Sequence, residues 1–149
     1  MNDLRDLYQE VILDHNKSPR NFRELAGADL HADGFNPLCG DKLSVYLNLD
    51  GDTIIDACFM GSGCAISKAS ASLMTDAVKG KTLAEARRLY DRFHGMVTDV
   101  AGAPDPRELG KLAVFAGVCD YPTRVKCASL AWHTLRAAFD DRHELVTTE

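Results

Sequence analysis

Cys39 and Asp41 stand two residues apart with Gly40 between them, in the run Asn36-Pro37-Leu38-Cys39-Gly40-Asp41. A thiol and a carboxylate so placed can face one point, because glycine sets little steric limit on the backbone. Two donors do not hold a metal, so partners must come from elsewhere. Cys64 follows the turn Gly61-Ser62-Gly63, where a strand gives way to a helix, and Cys127 follows Tyr121-Pro122-Thr123-Arg124 in the first turns of the last helix. Helix starts favour thiolate and expose it, and Arg124 and Lys126 add positive charge beside Cys127. Three thiolates with Asp41 would make a Cys₃Asp set, sufficient for tetrahedral zinc. The spacings, 39 to 64 and 64 to 127, are 25 and 63 residues, far from the CxxC of a zinc finger. The residues alone therefore leave two readings open, a shared site or isolated cysteines buried as small hydrophobes. Cys58, inside a strand, and Cys119, at a helix end, fit the second reading.

The elements that would position these groups follow from periodicity. Leu4, Leu7, Tyr8, Val11 and Ile12 make one helical stripe over 3–15, ended by His15 and Lys17 with Pro19 beyond. Residues 18–38 are irregular and read as an extended connector. Leu43, Val45, Leu47 and Leu49 alternate with polar residues, Asp50-Gly51 signals a type I′ hairpin, and 53–60 returns as the partner strand. Helices are predicted over 65–78, rich in small residues, and from the capping box Thr82-Leu83-Ala84-Glu85 to about 98. A short helix starts at Asp105-Pro106 and ends near Gly117, and the last long helix runs from Pro122 or Thr123 to about Asp141. Arg142 to Glu149 reads as a fraying tail. Helix, strands, then helices indicate an α+β fold, a small antiparallel sheet with helices packed on one face, in one domain over 1–149.

With 46% hydrophobic and 26% charged residues the composition is that of a globular protein, and the length supports one core. A net charge of −5 argues against nucleic acid as a partner. No apolar run is long enough to span a membrane, and the N-terminus lacks a signal peptide, so a cytoplasmic protein is expected. Cysteines there rarely form lasting disulfides, which leaves metal binding, thiol chemistry or burial for the five in this chain. None of His15, His31, His94, His133 or His143 has a partner at the spacing of a metal pair, and Trp132 reads as core. A cysteine-nucleophile hydrolase would want a histidine base beside a cysteine, and no histidine flanks one.

Asn36-Pro37-Leu38-Cys39-Gly40-Asp41, Gly61-Ser62-Gly63-Cys64-Ala65-Ile66-Ser67 and Arg124-Val125-Lys126-Cys127-Ala128-Ser129-Leu130-Ala131-Trp132 resemble the three cysteine motifs of the U-type iron–sulfur cluster assembly family. The segment Leu7 to His15 is similar to that family's N-terminus. Lys126 stands where IscU-type members place a histidine, and the stretch from about Gly95 to Gly110 fits an insertion carried by the SufU-type branch. The resemblance is therefore to the SufU branch, the zinc-dependent sulfurtransferases of the family. It implies Zn²⁺ on Cys39, Asp41, Cys64 and Cys127, and a cysteine desulfurase of the SufS type as sulfur donor. It further implies Cys39 as the cysteine that takes the persulfide, and a downstream SUF assembly complex as receiver. Arg124 would orient the site or steady thiolate charge. Two alternatives use the same residues: a scaffold that builds an iron–sulfur cluster, and a zinc-stabilised binding module without thiol chemistry.

Overall fold

The structure, a computed structural model, describes residues 3–37, 40–98, 106–120, 122–140 and 146–147. In chain order the elements are α1 (Asp3–Lys17), β1 (Leu30–Asn36), β2 (Asp41–Asp50), β3 (Thr53–Ser62), α2 (Ala65–Val78), α3 (Leu83–Thr98), a 3₁₀ segment (Pro106–Asp120), α4 (Pro122–Phe139) and β4 (Val146–Thr147). The four long helices stand where periodicity put them, each within about two residues of its expected ends, and the expected short helix is a 3₁₀ segment that runs three residues further, to Asp120. Asp105, where the short helix is expected to start, lies outside the described residues. The chain kinks within the 3₁₀ segment at Gly110, whose φ of 59° and ψ of −129° are not helical.

Among the described residues the sheet has four strands, in the order β3-β2-β1-β4. The alternation read over 43–49 becomes β2, whose inward side chains Leu43, Val45 and Leu47 are buried. β3 pairs with it antiparallel from Lys42↔Ser62 to Asn48↔Asp56 in unbroken register, and the one irregularity lies between Asn48 and Leu49. The hairpin is real but its turn differs from expectation. Asp50 pairs with Thr53, so Gly51 and Asp52 are central, and of these only Gly51 has positive φ, at 61°. That is the pattern of a type II′ turn, with glycine at the first central position.

Two strands were not foreseen. The end of the expected connector is β1, antiparallel to β2 from Leu30↔Leu47 to Asn36↔Asp41. Part of the expected tail is β4, parallel to β1 through Gly34↔Val146 and Phe35↔Thr147. The motif loop is therefore a hairpin connection, since Asn36 and Asp41 face each other as the last pair of the β1–β2 ladder.

The helices cover one face of the sheet and build the core with it. Trp132 stacks on Phe93 with ring centroids 4.5 Å apart, joining α4 to α3, and Phe115 meets Phe93 edge-on. Small residues let α2 approach α4 closely: Ala69, Ser70 and Ala71 are buried, and Ser70 Oγ donates to the Ala128 carbonyl at 2.6 Å. That contact is what brings the start of α2 beside the start of α4. His15, near the end of α1, is buried and bonded through Nδ1 to Ser72 Oγ of α2 at 2.7 Å. Among the described residues no helix is long and apolar enough to cross a membrane.

Candidate metal centre

Asp41 opens β2 on the same side as Leu43 and Val45, so strand alternation turns its carboxylate inward. It is fully buried. A buried carboxylate is costly unless it is bonded, and Asp41 is bonded on both oxygens. Oδ1 accepts the Cys64 backbone N–H at 2.8 Å. Oδ2 accepts from Asn36 Nδ2 at 3.3 Å and lies 3.8 Å from Cys64 Sγ.

Cys64 is the N-cap of α2, with extended φ and ψ of −70° and 167°, and its sulfur accepts the Ser67 N–H at 3.4 Å. Gly63 before it has no room for a side chain, because a Cβ would sit 2.5 Å from Asp41 Oδ1. Cys127 lies in the second turn of α4, and Asn36 Nδ2 donates toward its sulfur at 3.6 Å. The expectation of an exposed thiol at this helix start fails for Cys127, which is only 2% exposed because β1 and α2 pack over it.

One carboxylate oxygen of Asp41 and the sulfurs of Cys64 and Cys127 all lie within 4.8 Å of one another. Ligand atoms on tetrahedral zinc, with Zn–S about 2.3 Å and Zn–O about 2.0 Å, are roughly 3.5–3.8 Å apart. The 3.8 Å between Cys64 Sγ and Asp41 Oδ2 is within about 0.3 Å of the sulfur–oxygen value, and small side-chain rotations would close the set. Two soft sulfurs with one hard oxygen suit zinc, and they suit an iron–sulfur cluster too. The donor set thus fits the group that the sequence motifs imply.

The remaining residues singled out in the sequence divide clearly. Cys39 lies outside the described residues. The chain enters and leaves its loop at the Asn36–Asp41 pair, and Gly40, with φ of 73°, donates its N–H to the Asn36 carbonyl at 2.8 Å. Arg124 is exposed in the first turn of α4, one turn before Cys127, and Lys126 is half-buried. Cys58 is buried in β3, where burial and then the neighbouring Asp56 carboxylate push its thiol pKa up, so it stays a packed thiol. Cys119 falls in the 3₁₀ segment, and its side chain lies outside what is described. Among the described residues no histidine joins the cluster. Asn36 and Gly63 are part of the site although the residue types alone gave them no role.

The NifU-like N terminal domain family model matches residues 7–141. The chain belongs to that family. A relative in Streptococcus pyogenes serotype M1, the iron–sulfur cluster assembly scaffold protein IscU, is 43% identical over 138 residues, covering 93% of this chain and 86% of its own. The zinc-dependent sulfurtransferase SufU of Bacillus subtilis strain 168 is 41% identical over 133 residues, 89% of each chain. A crystal structure from Fervidobacterium islandicum AW-1, described as a cluster assembly scaffold for the SUF system, superposes with a TM-score of 0.81 at 37% identity, covering 90% of this chain and 97% of that one. The match spans the sheet strands β1 to β3, the helices packed on them and the three motifs. Two of these relatives are named as iron–sulfur cluster assembly scaffolds and the third as a zinc-dependent sulfurtransferase.

Proposed function

We propose that the chain binds zinc through Cys39, Asp41, Cys64 and Cys127 and accepts persulfide sulfur at Cys39 from a SUF-system cysteine desulfurase, for delivery to the downstream assembly complex. The observation that carries this reading is the convergence of Asp41, Cys64 and Cys127, from a strand and two helix starts, to within 4.8 Å. The name of the B. subtilis relative supports zinc and sulfur transfer as the pair of properties to test. Bound zinc would keep the thiols deprotonated and tie distant chain segments together.

The chain's own residues divide the work. Asp41 is fixed by the Cys64 N–H, and Cys64 and Cys127 are fixed by their helices, so these three are the standing part of the site. Cys39 belongs to the connection between Asn36 and Asp41, and it is the group that acts. Its thiolate attacks the terminal sulfur of the desulfurase persulfide. The new S–S bond forms on Cys39 as the donor's S–S bond breaks, and the donor cysteine leaves as thiolate. One sulfur moves and no outside oxidant or reductant is consumed. Arg124, exposed one turn from Cys127, would steady the negative charge that arrives with the persulfide.

The test combines elemental analysis of freshly purified protein with desulfurase turnover measured with and without it. Colourless protein holding about one zinc per chain, and stimulated turnover, are expected. Cys39→Ser should abolish sulfur uptake while part of the zinc remains. Full sulfur uptake by Cys39→Ser would sink the assignment of Cys39, and unchanged desulfurase turnover would leave only a zinc-stabilised binding module.

The scaffold reading has its own support in the names carried by the S. pyogenes and F. islandicum relatives. It predicts a coloured cluster, reconstituted on the same residues and passed intact to an apo-protein. Lys126, in the place of the histidine of IscU-type members, favours sulfur transfer.

A further inference from the structure

Asn36 is fully buried at the end of β1. A buried amide must satisfy its N–H groups, and the side-chain nitrogen of Asn36 has two hydrogens to place. Among the described residues it donates to Asp41 Oδ2 at 3.3 Å and toward Cys127 Sγ at 3.6 Å. Both carry negative charge when they bind a metal, so the nitrogen faces them; the flipped amide would set a carbonyl oxygen against a carboxylate. One side chain therefore bridges two of the three converging groups. They belong to different elements, β2 and α4, and Cys127 is 91 residues away in sequence.

The bridge also decides how Asp41 can bind. Oδ1 already accepts the Cys64 N–H at 2.8 Å. The bond to Asn36 holds Oδ2 in place on the other side, so the plane of the carboxylate is fixed and Oδ2 is the atom presented toward the sulfurs. Asn36 itself is located by the sheet, since it is Asp41's cross-strand partner.

We infer that Asn36 is a positioning residue of this centre, which holds Asp41 Oδ2 and Cys127 Sγ in register so that the Asp41–Cys64–Cys127 side stays assembled when Cys39 leaves to take sulfur. The inference rests on the zinc reading proposed above. Hydrogen bonds from outside the ligand set orient the ligands and tune their donor strength. Here the donor reaches two ligands at once.

The test uses the full chain with Asn36→Leu, which removes the donor at similar volume, and Asn36→Ala, which removes it without crowding. Zinc affinity is measured by competition with a chelator, and cobalt(II) is used as a spectroscopic substitute. Both variants should bind zinc about 10–100-fold more weakly, the usual cost of losing such a partner. The cobalt–thiolate charge-transfer band should move to lower energy, because a sulfur relieved of an N–H donor gives up its electrons more easily. Melting of the metal-free variants separates this from general unfolding. The same fold-loss is expected in a Cys39→Ser background, because the donor acts on the Asp41 and Cys127 side of the site. Unchanged zinc affinity with an unshifted cobalt spectrum in both variants overturns the inference, and so does a loss seen only when Cys39 is present. An unsubstituted chain that fails to bind zinc refutes the reading it rests on instead.

Discussion

Gly63 is the residue whose smallest change should disturb the site most. A Cβ there would stand 2.5 Å from Asp41 Oδ1 and 3.0 Å from Asp41 Cβ and Cγ, so something must move. The carboxylate is the part that can turn, and turning it breaks its 2.8 Å bond from the Cys64 N–H. Gly63→Ala should therefore weaken zinc binding by roughly tenfold or more, measured by chelator competition. Zinc affinity equal to that of the unsubstituted chain would show that the carboxylate orientation does not matter. The candidate ligands Asp41, Cys64 and Cys127 are visible in the sequence because cysteines are few and sit in telling places. Gly63 and Asn36 were visible only as letters in a motif. Their roles depend on who faces them across the fold, and a contact spanning 91 residues leaves no local pattern.

Among the elements, α3 shows how much a local signal can say. The capping box read from Thr82 to Glu85 is present: Glu85 N–H donates to Thr82 Oγ1 at 3.1 Å, and Thr82 N–H donates to Glu85 Oε1 at 2.9 Å. Thr82→Ala should cost about 1 kcal/mol, seen as a lower denaturation midpoint with the slope unchanged. A midpoint within error of the parent would mean that the tertiary contacts of α3 alone hold its first turn. β1 gave no such signal. Its inward residues are Ala32, Gly34 and Asn36, small or polar where a strand pattern wants large apolar groups. They are small because α4 lies against them: a Cβ on Gly34 would fall 2.1 Å from Thr134 Oγ1. The closeness that makes the strand useful, carrying Asn36 to Cys127, is what erased its periodicity. β4 is two residues long, too short for any period to show.

For the molecule as a whole, two histidines set a pH dependence, His15, which is buried, and His133, which is half-buried. Burial lowers the pKa of His15, helped by the Arg20 charge, and burial lowers that of His133, helped by His94. The unfolded chain takes up these protons first, near the ordinary value of about 6.5. Their contribution to stability is full above that value and is lost as pH falls through it toward the folded pKa values. The metal-free chain should thus melt progressively lower as pH drops from about 7.5 to about 5.5. His15→Gln should flatten part of that slope, and a slope equal to the parent's would remove His15 from the account. The sheet carries a different kind of dependence, on chain length. Seven successive pairs, from Lys42↔Ser62 to Asn48↔Asp56, run without a break between Asp41 and the irregularity at Asn48/Leu49. Side chains alternate faces, so one residue inserted between Leu43 and Leu47 would either turn Asp41 out to solvent or turn the core residues out. Beyond the irregularity, at Gly51 and Asp52, the turn can lengthen without that penalty. The β2 strand works as a ruler with its zero at Asp41, and deletions or insertions in this family should be tolerated at one end of that ruler and not at the other.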